Sequence, residues 1–401
     1  MTASPGWGGY SRPAPPPPRL RWSVLALLSF AVLLGMSVWF AATAVSPQLA
    51  SRWDLSPGRT TLLTTLVQWG FVAGTAVAAL LNLADLVPSR LFFAACAALA
   101  AAANVGLLAA TGFESGAILR FATGFFLAGV YPPAMKMCAT WFRSSRGLAI
   151  GTVVGALTVG KALPYLLKSF GQAPVGSVVV GTSGAAAVGA LLVLVFYRDG
   201  PFPFPSRPFA WSRVGEVLRD RPTMLATGGY LGHMWELYAA WTLWSSFNAQ
   251  VHVQGDLWTF GMIAIGALGC VWAGHAADRV GRVRVANGAM AVSGSCCLLA
   301  GWTVGLPPWI PGLIGLAWGL TIVSDSAQFS ALVTEVAPAH AVGTALTLQT
   351  MLGFALTGVS IEWSSRLAGA AGWPAAFSLL ALGPVLGILS MRRLARSYGT
   401  R

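Results

Sequence analysis

Stretches of about twenty apolar residues recur twelve times along this chain of 401 residues, and no other feature constrains it as strongly. A helix needs about 20 such residues to cross the ~30 Å hydrocarbon core of a bilayer. The runs fall near 22–45, 58–82, 90–111, 115–139, 147–169 and 177–197, then near 223–247, 256–276, 283–304, 309–334, 342–364 and 374–391. Charged residues make up only 9% of the chain and hydrophobic residues 56%. A soluble domain carries about 25% charged residues. A soluble enzyme and a disordered chain are therefore excluded.

The segments between the runs set the domain plan. Residues 1–21, with Pro13 and then Pro15 to Pro18 in a row, are predicted to be a disordered tail. The first run is too long for a signal-peptide core, so it is expected to be a retained helix. Two six-helix units are expected over 22–197 and 223–391. Between them lies a polar linker, 198–222, with Pro201, Pro203, Pro205 and Pro208 followed by an amphipathic piece over 211–218. Residues 392–401 form a second tail.

The net charge of +13 invites a nucleic-acid partner, until its residues are sorted by side. Twelve crossings place both termini on one face. Eighteen of the 25 Lys and Arg fall on that face, and only Arg52, Arg59, Lys168 and Arg366 on the other. The positive-inside rule then predicts cytoplasmic termini, and no nucleic-acid partner is expected. The remaining three cations, Arg120, Lys136 and Lys161, lie within spans.

A half-length repeat supports two matched bundles. Leu81 to Arg90 follow the second run, and Gly274 to Arg282 follow the eighth. Asp85 and Asp278, 193 residues apart, occupy corresponding positions at helix ends on the cytoplasmic side. The second copy, Gly274-His275-Ala276-Ala277-Asp278-Arg279-Val280-Gly281-Arg282, resembles the G-x-L-A-D-R-x-G-R-R loop of the major facilitator superfamily. The first copy keeps only Asp85 and Arg90 of that pattern. Arg120-Phe121-Ala122-Thr123-Gly124, with Gly129, Pro132, Trp141-Phe142 and Arg146-Gly147, resembles the superfamily's fourth-helix pattern. In the fifth span, Gly151, Gly155 and Gly160 are followed by Lys161 where the drug-antiporter pattern has proline, so that signature is not met.

The resemblance implies an all-α polytopic membrane protein, with twelve transmembrane helices in two pseudo-symmetric six-helix bundles. It implies a cavity near the midplane between the bundles, lined by helices one, four, seven and ten. It also implies a gate motif on the cytoplasmic side, formed by Gly274, Asp278 and Arg282 with Asp85 and Arg90, and a functional monomer.

An ionisable group at mid-bilayer costs at least ~2.5–3.5 kcal/mol on insertion scales, so each needs a partner or a task. Tyr230, His233 and Glu236 recur at i, i+3 spacing on span seven and are expected to share one face. Glu236 is the first candidate for a proton or substrate site, with His233 as relay. The alternative is a polar cluster that holds helices together. Asp325 on span ten is expected to form a gate ion pair with an inward Lys or Arg, or a coupling site. Arg120 is placed to meet Glu236 or Asp325. Gln68 and Gln349, in spans two and eleven, are expected to hydrogen-bond the solute. Three intramembrane cations against two carboxylates tilt the expectation toward an anionic solute.

The function expected is secondary transport across the plasma membrane by alternating access, as proton-coupled symport of a small anion. The alternative is proton-driven efflux of a drug or metabolite. The expected partners are the solute, protons and the lipid bilayer. The absence of a phosphate-binding loop disfavours ATP-driven pumping. A membrane-embedded enzyme would show an HExxH-type metal cluster or a Ser/His/Asp set at membrane depth, and no enzymatic activity is expected because only His233 of the four histidines is deep. No cofactor is expected, the five cysteines showing no metal or disulfide spacing. A transporter-like sensor is a third possibility, supported only by the degenerate first motif.

Overall fold

The computed structural model describes residues 18–142, 145–170, 174–202, 209–251 and 255–399. Every regular element among them is helical. Ten helical stretches are long and apolar enough to cross a membrane. One of them, Val342–Tyr398, turns at Gly372, whose φ of 81° lies in the left-handed region that glycine tolerates. Pro374, two residues on, cannot continue the preceding hydrogen-bond ladder, so this stretch makes two crossings. A further helix, Arg221–Gln250, has 30 residues, ample for a crossing, but its polar middle keeps it off a hydropathy count. The described chain thus makes twelve crossings.

Spans 1 to 6 are Arg19–Met36, Pro57–Leu80, Ser89–Leu108, Phe113–Ala139, Gly147–Ser169 and Val175–Phe196. Span 7 is Arg221–Gln250. Spans 8 to 10 are Gly255–Val280, Arg282–Thr303 and Trp309–Val336. Spans 11 and 12 are the two arms around Gly372. An even number of crossings returns the chain to its starting side, called here the terminal face.

Three spans are broken over three or more residues. Span 1 loses its helix over 37–40 and resumes as Ala41–Ala44 and Ser46–Trp53. Span 4 breaks over 128–130, where Pro132 and Pro133 in the next helical turn cannot donate to preceding carbonyls. Span 10 breaks over 323–325, where the Ser324 hydroxyl donates back to the Leu320 carbonyl at 2.6 Å. The breaks in spans 4 and 10 are 195 residues apart, close to the spacing of the two aspartates. The repeat read from the sequence is therefore present in the backbone.

The bundles meet through small residues, which let helices approach closely. Gly151 on span 5 faces the Cys270 carbonyl on span 8 so closely that a Cβ would sit 2.7 Å from it. Gly147 faces Gly274, and Gly155 faces Ala267, along the same seam. At the opposite face, Lys168 Nζ on span 5 donates to Asp256 Oδ1 on span 8 at 3.1 Å. On the terminal face, the short helix Val214–Arg219 docks against the start of span 11. There Arg213 donates to the His340 carbonyl, and His340 Nε2 lies 2.8 Å from Glu216 Oε1.

Candidate functional site

A cavity of about 340 Å³ lies between the halves and is lined by spans 1, 2, 4 and 5 on one side and 7, 10 and 11 on the other. Its inner end is aromatic. Phe71 and Phe354 rings lie 4.2 Å apart, Trp39 is 5.3 Å from Phe71, and Tyr238 is 5.4 Å from Trp39. From there the cavity reaches past Lys136 on span 4 and Ser330 and Thr334 on span 10, residues near the terminal face.

Lys161 projects into the inner end from span 5, with only 1% of its surface exposed. Its ammonium donates to the Tyr238 hydroxyl. The same nitrogen lies 4.0 Å from the Trp39 ring centroid, 4.3 Å from that of Tyr238 and 5.9 Å from that of Trp241. A desolvated cation over aromatic faces gains about 2 kcal/mol. Among the described residues no carboxylate pairs with it. The indole N–H groups of Trp39 and Trp241, both buried cavity residues, have no acceptor. The inner end therefore offers a buried lysine with no carboxylate beside it among the described residues, and two indole N–H groups without an acceptor.

Span 7 corrects the expectation that Tyr230, His233 and Glu236 share one face. Each i+3 step advances 300°, so two steps swing a side chain by 120°. Tyr230, Met234, Tyr238 and Trp241 line the cavity, while His233 and Glu236 turn into the second bundle. The Glu236 carboxylate accepts from Trp318 Nε1 at 2.6 Å, Ser293 Oγ at 3.0 Å and Cys297 Sγ at 3.1 Å. These donors come from spans 9 and 10 and saturate the group. His233 Nδ1 lies 2.8 Å from Asp325 Oδ1, off the line of an aligned hydrogen bond, with side-chain exposures of 1% and 2%. Asp325 sits in the break of span 10, and its partner is this histidine rather than the expected Lys or Arg.

Arg120 meets neither Glu236 nor Asp325. Fully buried, it donates to the carbonyls of Val38 at 3.2 Å, Leu63 at 3.5 Å and Trp39, and to Asn104 Oδ1 at 3.4 Å. At the break in span 1 the Val38 carbonyl keeps a long backbone bond from the Ala41 N–H at 3.4 Å, and the guanidinium fork adds donors to it and to the Trp39 carbonyl. Gln68 and Gln349 are buried beside the cavity rather than on its lining. Gln68 leaves both amide atoms unpartnered, and Gln349 leaves its amide nitrogen so.

On the terminal face, the Asp278 carboxylate lies at the N-terminus of the span 5 helix, within 3.1 Å of where a Gly147 Cβ would be. A carboxylate there complements the positive helix end. Arg282 Nε donates to Glu335 Oε1 at 2.7 Å, and its Nη1 to Gln328 Oε1 at 3.1 Å, tying span 9 to span 10. Gly274 gives the close approach to Gly147. Arg90 is exposed, and the side chain of Asp85 lies outside the described residues. So do Arg143 and the side chain of Arg146, which entered the charge count.

Sequence reasoning missed Tyr238 and the cage it builds around Lys161. The signal was present: Tyr230, Met234, Tyr238 and Trp241 recur at i+4, i+4 and i+3 spacing, one face of span 7.

Twelve broken and unbroken crossings around a cavity between two matched halves define a multi-pass helical membrane protein of the transporter class. The sequence matches the Major Facilitator Superfamily over residues 27–361, and the chain belongs to that superfamily. No curated protein sequence matches the chain. Two solved structures share the fold. One is the human organic anion transporter MFSD10 (TETRAN), at 15% identity and TM-score 0.67, covering 94% of this chain and 100% of that one. The other is a bacterial homologue of the human lysosomal transporter Spinster, in an inward-facing and occupied conformation. It has 14% identity and TM-score 0.67, covering 95% of this chain and 97% of that one. Identities this low speak for the fold alone.

Proposed function

We propose that this transporter moves a small anion across the plasma membrane by proton-coupled symport. Its termini lie in the cytoplasm, the halves 22–197 and 223–391 rock about linker 198–222, and the functional unit is a monomer. The observation that carries the anion reading is Lys161, a buried lysine with no carboxylate partner among the described residues, beside two buried indole N–H groups without acceptors. An anion is the ligand that meets all three. The first structural neighbour is described as an organic anion transporter, which accords with this reading.

Protons are carried in the second bundle. Glu236 and the His233–Asp325 pair are buried there, and the pair is fixed to the break in span 10, the element most ready to change shape. Coupling runs from that break, through Val323 on the cavity wall, to the solute site. The gate on the cytoplasmic side is the contact of Asp278 with span 5, braced by Arg282.

Proteoliposomes with an imposed inward pH gradient should accumulate a labelled anion taken from a panel of carboxylates and oxyanions. Glu236→Gln should lose that accumulation and keep anion exchange. Unchanged proton-driven uptake in the variant removes Glu236 from the proton role. A second reading, efflux of an organic cation, is favoured by the aromatic walls of Trp39, Tyr238 and Trp241, which suit a cation once Lys161 is neutral or displaced. Saturable uptake of an amine, with no response to any anion, would decide for it.

A further inference from the structure

A second cavity lies on the outer surface of the second bundle. It has a volume of about 770 Å³ and is bounded by spans 8, 9 and 10. Trp272 on its wall is 69% exposed and Val292 46%, so the groove opens to the bilayer. Along span 8 it runs from Gly269 to Val280. At 1.5 Å per residue that is about 16 Å, close to half of a ~30 Å hydrocarbon core. The groove therefore spans the depth of one leaflet, the one on the terminal face.

Its chemistry is graded along that length. Arg284, exposed, stands at the terminal end. The walls beyond it are apolar or small. Gly288 faces open space, since a Cβ there would meet no atom within 4 Å. The two hydroxyls at the inner end are satisfied within their own helix: Thr321 donates to the Ala317 carbonyl at 2.9 Å, and Ser324 to that of Leu320 at 2.6 Å. Nothing deep in the groove asks for a polar ligand, and one cation at the mouth asks for an anionic head.

We infer that this groove between spans 8, 9 and 10 holds one acyl chain of an anionic phospholipid of that leaflet, with the lipid phosphate on Arg284. The inner end of the chain reaches Ser324, in the break of span 10. Val323 beside it lines the central cavity, and Asp325 on its other side pairs with His233. A bound lipid thus buttresses the same broken turn that borders the solute site.

The test is native mass spectrometry of the full chain released from vesicles of equal phosphatidylglycerol and phosphatidylcholine. One retained phosphatidylglycerol is expected on the wild-type protein, above the occupancy by phosphatidylcholine. Arg284→Ala should lower that occupancy about fivefold by removing one interfacial cation. Gly288→Leu, which fills the groove without touching the cation, should lower it at least as much. Arg366→Ala, on the opposite face, should leave it unchanged. Undiminished phosphatidylglycerol in either groove variant overturns the proposal, and so does equal retention of phosphatidylcholine.

Discussion

The two places where this protein buries charge are built on opposite principles. In the second bundle Glu236 is held by three donors, and Asp325 has His233 at 2.8 Å. In the cavity between the bundles Lys161 has ring faces and one hydroxyl but, among the described residues, no counter-charge. Both regions are equally dry, so burial alone does not separate them. What separates them is whether the protein supplies the partner. Glu236, held on both oxygens, ties its bundle together as well as serving the proposed proton role, while Lys161 and the unpartnered indole N–H groups suit the proposed solute. The contrast predicts that substitutions in the second bundle cost stability, whereas substitution of Lys161 costs solute affinity without costing stability.

The largest effect should come from His233→Ala, which strands Asp325 in a dry interior. Breaking a buried pair costs about 3–5 kcal/mol, and a thermal unfolding scan should show a large drop in Tm. A Tm within a few degrees of wild type would dissolve the distinction. Next is Lys161→Met, which removes an uncompensated charge and keeps the chain length. Stability should be unchanged or higher, while the apparent KM for the proposed anion rises about tenfold to a hundredfold, the equivalent of ~1.5–3 kcal/mol for a hydrogen bond to a charged group. A parallel fall in Tm would show that Lys161 is structural. Trp241→Phe keeps an aromatic face, though a smaller one, and removes one free N–H, and affinity for the proposed anion should weaken about tenfold or less. An unchanged KM would take that indole out of the solute shell. The smallest effect belongs to Lys168→Ala. Its partner Asp256 is 26% exposed, so the pair contributes at most about 1 kcal/mol, and Tm should barely move.

How much of this was legible in the sequence follows from which physical constraint wrote it there. The twelve crossings were readable because a bilayer forces each to about the same length and polarity. The repeat was readable because it left Asp85 and Asp278 in register. Lys161 stood out because a cation in an apolar run is expensive wherever it points. Its partners were not legible, because they come from spans 1 and 7, and no local pattern specifies which helices meet. The facing of Glu236 was misjudged for a simpler reason: an i+3 row drifts around a helix, and two steps carried it from the cavity into the bundle. The partner of Arg120 was hidden by the break at 37–40, where Ser-Val-Trp-Phe holds neither proline nor glycine to announce it.

The glycine seam between spans 5 and 8 has a consequence for speed. Where Gly147, Gly151 and Gly155 ride on the facing helix, what meets them is backbone, the Ala267 methyl and, at Gly147, the Asp278 carboxylate. In the proposed rocking of the halves, sliding along this stretch unseats few rotamers, and the contacts that must be broken lie elsewhere: the clasp of Lys168 with Asp256 on one face, the seat of Asp278 on the other, and the stacked rings between them.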